Sequence, residues 1–375
     1  MVGDGIRRCA LALAALLVLA SGAGAEGPWR LGVIAARSGD AASSNEAVFR
    51  AVRYAVDEIN AAGGLLGRSV ETVEIDNQSS ALGSKAAAEQ AVSLNTDAVI
   101  GAIWSGHSLA MAPVLQAAGI PMISPMSTNP AVTRAGNYIF RVCYTDAAQG
   151  AVMARYARQD LGAARAAILT NVSRVYSVDL GRVFDERFRA LGGDVLWRGA
   201  YTIDTADYLG LLQMVRAVDP DVLYVPGDYR DSSCIIKQAR GLGLRAVILG
   251  GDAFGLRLYD YIGDAADGCY YTTHWHPDSP LAASRRFTAA WEARFGPIRQ
   301  TTIPMTYDAV MLWADAVRRA GGADRARVRD ALAATRDFHG VTGRIRFEDG
   351  GDPRRPIIVN RLEGGRAVFV RAVEP

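Results

Sequence analysis

The sequence predicts an α/β protein of two lobes, each carrying a parallel sheet. Short apolar runs alternate with longer amphipathic stretches, the pattern of strand–helix–strand units. The alternation runs from Trp29 to Val142 and begins again at Ala166. The chain is 375 residues long, more than one hydrophobic core usually serves.

The elements follow in order. Residues 29–35 form a strand. Val48, Val52, Ala55, Val56 and Ile59 fall at helical spacing, and Gly63-Gly64 stops that helix. Residues 70–76 read as a strand and 84–94 as a helix. A strand over 98–103 leads into a loop at 104–108, rich in hydroxyls and glycine. A helix over 109–118 follows, ended by Gly119 before Pro121. Residues 121–123 are a strand, 124–130 a loop and 139–142 a strand. The second series has strands at 166–170, 195–197, 222–225 and 246–249, with helices at 178–191, 208–218 and 234–242. After a short strand at 270–273 the rhythm breaks. Helices at 280–295, 303–320 and 325–335 precede strands at 343–347, 357–362 and 367–370. Such helices would return to the first lobe and the last strands to the second.

The stretch 98–133 organises the rest. Consecutive parallel strands place the loops 104–108 and 124–130 at one carboxyl edge, where open α/β sheets bind small ligands. Ser105, Ser108, Ser127 and Thr128 are expected to face one another there, beside the N–H groups of helix starts. That arrangement suits a small anion, most simply a carboxylate.

Composition narrows the class. The chain is 50% hydrophobic with a formal net charge of +2, a globular balance rather than a disordered or nucleic-acid-binding one. Arg7 and Arg8 precede an apolar run at 9–20 that is too short to span a bilayer, and Ala23-Gly24-Ala25 supplies a small-residue cleavage pattern. Residues 1–25 therefore read as a signal peptide of bacterial style, cleaved near Ala25. The mature chain would start at Glu26 and be periplasmic.

Cys9 leaves with the signal, and Cys143, Cys234 and Cys269 show no metal-binding spacing. One disulfide plus a free thiol, and three buried thiols, are both open. No P-loop and no G-x-S-x-G elbow is present. A G-x-G-x-x-G at 22–27 straddles the cleavage site. His274-Trp275-His276 with Asp278 lacks a further metal ligand and reads as a solvated connecting segment. His107 lies close to Ser105 but has no evident orienting acid. No enzymatic activity, metal or cofactor is expected.

Several motifs together carry a resemblance. They are Leu31-Gly32 with Ser38-Gly39, Asp57-Glu58-Ile59-Asn60-Ala61-Ala62-Gly63-Gly64, and Ile123-Ser124-Pro125 with Thr128-Asn129-Pro130. Phe140-Arg141, Gln238-Ala239-Arg240-Gly241-Leu242-Gly243 and Tyr307-Asp308-Ala309-Val310 complete the set. In order and spacing the chain resembles the periplasmic substrate-binding proteins of branched-chain amino acid ABC transporters, over essentially its whole mature length. The resemblance implies the type I periplasmic-binding fold, two Rossmann-like lobes joined by three hinge crossovers near 142–146, 272–278 and 340–346. Lobe 1 would comprise 26–143 plus 276–342, and lobe 2 would comprise 144–275 plus 343–375. A ligand would sit between lobes that close by a hinge motion.

The resemblance also implies a site. Ser105 matches the family's carboxylate-binding serine, and Thr128 the threonine whose hydroxyl and N–H hold the ligand. A carbonyl of Met126 or Ser127 would accept from an ammonium group. Asp252 falls where the family has an acid that pairs with that ammonium, and Tyr176 where a tyrosine closes over the ligand. Plainer readings exist: Ser105 and Thr128 as helix or turn caps, Asp252 as the N-cap of 254–262, Tyr176 as packing.

The chain departs from the family pattern too. Ser79 and Trp104 stand where the family has an early disulfide. Ser44 or a neighbour replaces an aromatic over the ligand side chain, and Asp228 replaces a tyrosine. Trp104 would restore an aromatic wall. Asp228 is either an acceptor for a polar or cationic ligand or a solvated loop acid. The expectation is a periplasmic binding component of an ABC importer that hands a small molecule, an amino acid or analogue, to a membrane permease. Its side-chain compartment looks too polar to assume leucine, isoleucine or valine. A ligand-sensing regulatory protein, and a binder of an amide, urea or carboxylate, are the alternatives on the same fold; a hydrolase is a weaker third.

Overall fold

Strand β1 (Trp29–Ala35) is buried at all but one position, as a parallel strand covered on both faces must be. In the computed structural model, which describes residues 27–348 and 350–374, it pairs in parallel with β2 (Val70–Asp76) and β3 (Ala98–Gly101). The expected signal peptide and its cleavage site lie outside the described residues. β4 (Met122–Ser124) and β5 (Ile139–Arg141) complete a five-stranded sheet of order β2-β1-β3-β4-β5. Helix α1 (Ala42–Ala61) covers one face, and α2 (Ala81–Ser93) and α3 (Ser105–Ala117) the other. Each fully buried Leu, Ile or Phe in these faces contributes about 1.5–3 kcal/mol.

The chain leaves this sheet after Arg141 and starts α4 (Asp146–Gln159), capped by the Thr145 hydroxyl, which accepts from Ala148 N–H at 3.3 Å. This helix is absent from the sequence expectation. Its inward face carries Asp146, Gln149 and Gly150 beside Val152 and Met153, so no apolar stripe of helical period announces it.

The second sheet holds β6 (Arg165–Asn171), β7 (Asp194–Tyr201), β8 (Val222–Tyr224), β9 (Val247–Gly250) and β10 (Tyr270–Thr273), parallel and in the order β7-β6-β8-β9-β10. Helices α5 (Val175–Ala190), α6 (Leu209–Val218), α7 (Tyr229–Gly241) and α8 (Arg257–Ile262) connect them. Helices α9 (Ala282–Phe295), α10 (Thr302–Ala320) and α11 (Arg325–Ala333) then return to the first sheet, where Met305, Leu312 and Trp313 pack with Leu31, Val33 and Phe49. Trp313 meets Trp29 edge to face at 6.2 Å between centroids, a pairing worth about 1 kcal/mol beyond the area it buries. Among the described residues no helix is long and apolar enough to cross a membrane.

Two expectations are corrected near the C-terminus. After the hairpin of β11 (Phe338–Gly340) and β12 (Gly343–Ile345), strands β13 (Ile357–Glu363) and β14 (Arg366–Val373) join the second sheet antiparallel, so that sheet is mixed rather than wholly parallel. Gly364 and Gly365 have φ of 55° and 77°, the left-handed turn that a tight hairpin between twisted strands requires. The third crossover also lies later than 340–346. Ile345 and Phe347 sit in the first lobe's core, Gly351 C=O accepts from Arg141 N–H at 3.0 Å, and Asp352 pairs with Arg141 at 2.7 Å. The described residues between 343 and 352 therefore stay with the first lobe, and the chain crosses at 353–356.

One buried guanidinium gathers these connections. Arg355 donates to the carbonyls of Val142 at 2.6 Å, His274 at 3.1 Å and Thr342 at 2.8 Å.

Candidate functional site

Sheet order decides where a site forms. In the first sheet β1 lies between β2 and β3, and in the second β6 lies between β7 and β8. Loops leaving the carboxyl ends on either side of such a strand diverge and open a crevice. The two crevices face each other and enclose a cavity of about 330 Å³. The lobes are closed over it: Arg174 of the second lobe pairs with Asp40 of the first at 2.9 Å, Asn129 donates to Asp179 at 2.5 Å, and the Ser43 and Tyr229 hydroxyls are 3.1 Å apart.

On the first-lobe wall, α3 begins at Ser105, within the stretch expected to be a loop. The hydroxyls and glycine there suggest a loop, yet Ser108 bonds inward to Ala102. The N–H groups of Ser105 and Gly106 open the helix and have no intrahelical carbonyl; both residues line the cavity, so the positive end of the helix faces it. Ser105 Oγ also accepts from Asn129 N–H at 3.2 Å, tying the two loops together. Met126 and Thr128 line the same wall. The Thr128 carbonyl accepts from Asp146 N–H at 2.8 Å.

Ser127 is a correction. It is buried beneath the wall, with its hydroxyl 2.7 Å from Ser108 Oγ and donating to Ala102 C=O at 3.1 Å. Its carbonyl already accepts from the Arg141 guanidinium and from Cys143 Sγ. Ser108 and Ser127 therefore brace the loops, and of the two carbonyls considered only that of Met126 remains for a ligand.

On the second-lobe wall, Asp252 follows β9. Its carboxylate accepts from the Tyr176 hydroxyl and the Gln149 amide, each at 3.0 Å, and lies 3.0 Å from His274 Nε2. Burial and the Asp252 charge hold the Tyr176 hydroxyl well above its ordinary pKa, and burial pulls His274 down. Three uncharged partners thus fix the carboxylate without neutralising it. Asp252 is no helix cap, because α8 starts only at Arg257. Gly251 makes the approach possible: a Cβ there would collide with the Tyr176 hydroxyl.

Asp146 lies behind both walls, fully buried, accepting from Gln149 Nε2 at 2.8 Å, with the Thr128 side chain beside it. Burial, with the Asp252 charge adding to it, pushes its carboxyl up to about 8. The folded protein keeps this group protonated at neutral pH, whereas the unfolded chain ionises near 3.8. Its contribution to stability is complete below the unfolded value and is lost as pH rises toward the folded one. Asp146→Asn, which copies the neutral acid, is expected to gain stability over the parent steadily between pH 4 and 8, by up to ~1.4 kcal/mol per pH unit. Denaturant melts at several pH values check this; parallel curves would contradict it.

The remaining wall holds Trp104, Arg174 and Asp228. Asp228 occupies the position before α7 but makes no capping bond; its carboxylate faces the cavity, 3.5 Å from Arg174 Nε. It is not a solvated loop acid. Burial and the neighbouring Asp231 push it up to about 7. The Arg174 guanidinium lies 4.2 Å over the Trp104 ring. Arg174 escapes sequence reading, since a lone arginine before a helix carries no signal until the lobes meet. His107 lies 3.2 Å from the Asn77 amide, and burial and Arg174 lower its pKa to about 4; its ring braces the loop around Ser79. Ser79 Oγ donates to Ser38 C=O at 2.5 Å, so hydrogen bonds tie the loop for which no disulfide was expected.

His274-Trp275-His276 is also a correction. All three residues are buried: Trp275 donates to Ser284 at 2.7 Å and His276 Nε2 is 3.0 Å from Ala367 C=O. The segment runs between the lobes rather than across solvent. No group of residues suited to a metal ion occurs among the described residues. The three described cysteines are free thiols, Cys143 and Cys269 buried and Cys234 exposed.

The chain is similar in sequence and in fold to proteins already known. The profile of the family described as periplasmic binding protein matches residues 28–366. The chain is 29% identical over 329 residues to the Leu/Ile/Val-binding protein BraC3 of Rhizobium johnstonii, covering 86% of this chain and 88% of that one. The leucine-binding protein LivK of Thermotoga maritima superposes with a TM-score of 0.88 at 32% identity, over 92% of this chain and 99% of its own. The branched-chain amino acid transporter substrate-binding protein LivJ of Streptococcus pneumoniae, solved with isoleucine, gives a TM-score of 0.88 at 27% identity, over 93% and 100%.

Proposed function

Because the chain belongs to the periplasmic binding protein family, we propose that it is the solute-binding component of an ABC importer and captures an α-amino acid or close analogue between its lobes. The observation that carries this reading is the pairing of opposite chemistries across one cavity. Ser105, the first N–H groups of α3 and Thr128 offer donors to a carboxylate on one wall. On the other, Asp252 presents a carboxylate held by uncharged partners. An α-amino acid carries a carboxylate and an ammonium one carbon apart, so it satisfies both walls only when they close. Export through residues 1–25 and delivery to a membrane permease complete the proposal, supported by the signal-like N-terminus and by the family.

The test is a thermal-shift screen of the purified protein against amino acids, polyamines, amides, urea and small carboxylates. A ligand that binds only the native state raises the melting temperature by mass action, equivalent to about 2.7 kcal/mol at one hundred times its Kd. A rise with α-amino acids is expected. Silence from all of them, with a rise for amides or plain carboxylates, would keep the fold and overturn the role given to Asp252.

A further inference from the structure

The end of the cavity beyond Asp252 holds a charge arrangement that bears on the ligand's side chain. Arg174 is shared between Asp40 of the first lobe, at 2.9 Å, and Asp228 of its own lobe, at 3.5 Å. Its guanidinium is held over Trp104. The nearby hydroxyls are occupied: Ser44 donates to Ala41 C=O at 2.8 Å, Ser79 to Ser38 C=O, and Tyr229 meets Ser43. Arg174 and Asp228 both line the cavity, and their side chains keep 22% and 23% of their surface accessible. Their 3.5 Å separation is an ion-pair distance, longer than a hydrogen bond. The end of the cavity therefore presents a cationic donor group beside an acid, a short gap apart.

A cationic side chain entering here would meet a guanidinium already in place between the two acids. An anionic one would add a third carboxylate to a cation shared by two, with Asp231 behind Asp228. An aliphatic one would shut the accessible part of this ion pair away from water with nothing to replace its hydrogen bonds, a costly outcome for charged groups. A neutral group with an acceptor and a donor side by side bridges the gap without changing the charge. Its acceptor takes an N–H of the Arg174 guanidinium and its donor reaches Asp228, while an aliphatic stem lies against Ile103, Met126 and Phe254, which line the same cavity.

We infer that the pocket selects an α-amino acid whose side chain ends in a carboxamide or ureido group, read by Arg174 and Asp228. This rests on the amino-acid reading above, and the experiment separates the two. Titration calorimetry of the purified protein with glutamine, asparagine, citrulline, leucine, glutamate and lysine should show a carboxamide or ureido amino acid binding at least tenfold tighter than leucine, glutamate and lysine. Arg174→Met and Asp228→Tyr should each cut that preference over leucine at least tenfold. Tightest binding of leucine, glutamate or lysine overturns the inference and leaves the amino-acid reading standing. Binding of none of the six overturns the inference, and only silence across the whole amino-acid screen above overturns the reading it rests on. A parent preference that survives in both folded variants removes Arg174 and Asp228 as its cause, and the parent ranking decides even if a variant does not fold.

Discussion

Asp252→Ala is expected to weaken binding of any ammonium-bearing ligand about 100-fold. A hydrogen bond to a charged group contributes about 1.5–3 kcal/mol, and each 1.4 kcal/mol is tenfold in affinity. Here the carboxylate is held by the Tyr176 hydroxyl, the Gln149 amide and His274, so little ordering remains to be done when the ammonium arrives and the upper end of that range applies. Alanine also strands those three groups, which confuses lost binding with lost structure. Asp252→Asn separates them, because the amide keeps the size and can still accept from Gln149 and Tyr176 while the charge is gone. Calorimetry should show both variants weakened, with the asparagine variant melting close to the parent. An asparagine variant that binds as tightly as the parent would take Asp252 out of ammonium recognition.

Arg355→Met is expected to destabilise the protein by roughly 3 kcal/mol, since each of three buried carbonyls loses a donor worth about 1 kcal/mol or more. At roughly 2 °C per kcal/mol for a chain of this size the melting temperature falls by about 6 °C. The loss should depend on pH. Burial raises the Asp308 carboxyl to about 6, and the Arg355 charge restrains that rise. Without Arg355 the carboxyl moves further up, and a raised carboxyl contributes stability that fades as pH rises. The gap between parent and variant should therefore widen from pH 5 to pH 8. A pH-independent gap would mean that Arg355 acts through the carbonyls alone, and no gap would mean that the connections hold without it.

Much of this was legible in the sequence where one physical signal dominated. The buried strand at 29–35 and the helix over Val48 to Ile59 show plain periodicity. Tyr176, Asp252, Thr128 and Ser105 reach the cavity where the family resemblance placed them. Legibility failed where chemistry interrupts the pattern. α4 hides because Asp146 and Gln149 replace apolar residues on its inner face. Ser127 looked equivalent to Thr128, and only the inward network of Ser108, Ser124 and Ala102 distinguishes them. Arg174 acquires meaning only through Asp40 and Trp104, which are remote in sequence and belong to the other lobe. The buried histidines at 274 and 276 could not be told from a solvated pair without knowing that the segment passes between the lobes.

The late crossing at 353–356 has a mechanical consequence. It is bounded by Pro353 and Pro356, whose rings fix φ, and each proline also restricts the residue before it. One end is pinned to the first lobe through Asp352 and Arg141, and Arg355 within it grips the other two strands of the hinge. The three crossings are thus bound to one another through a single guanidinium, so a load on the last is shared with the other two.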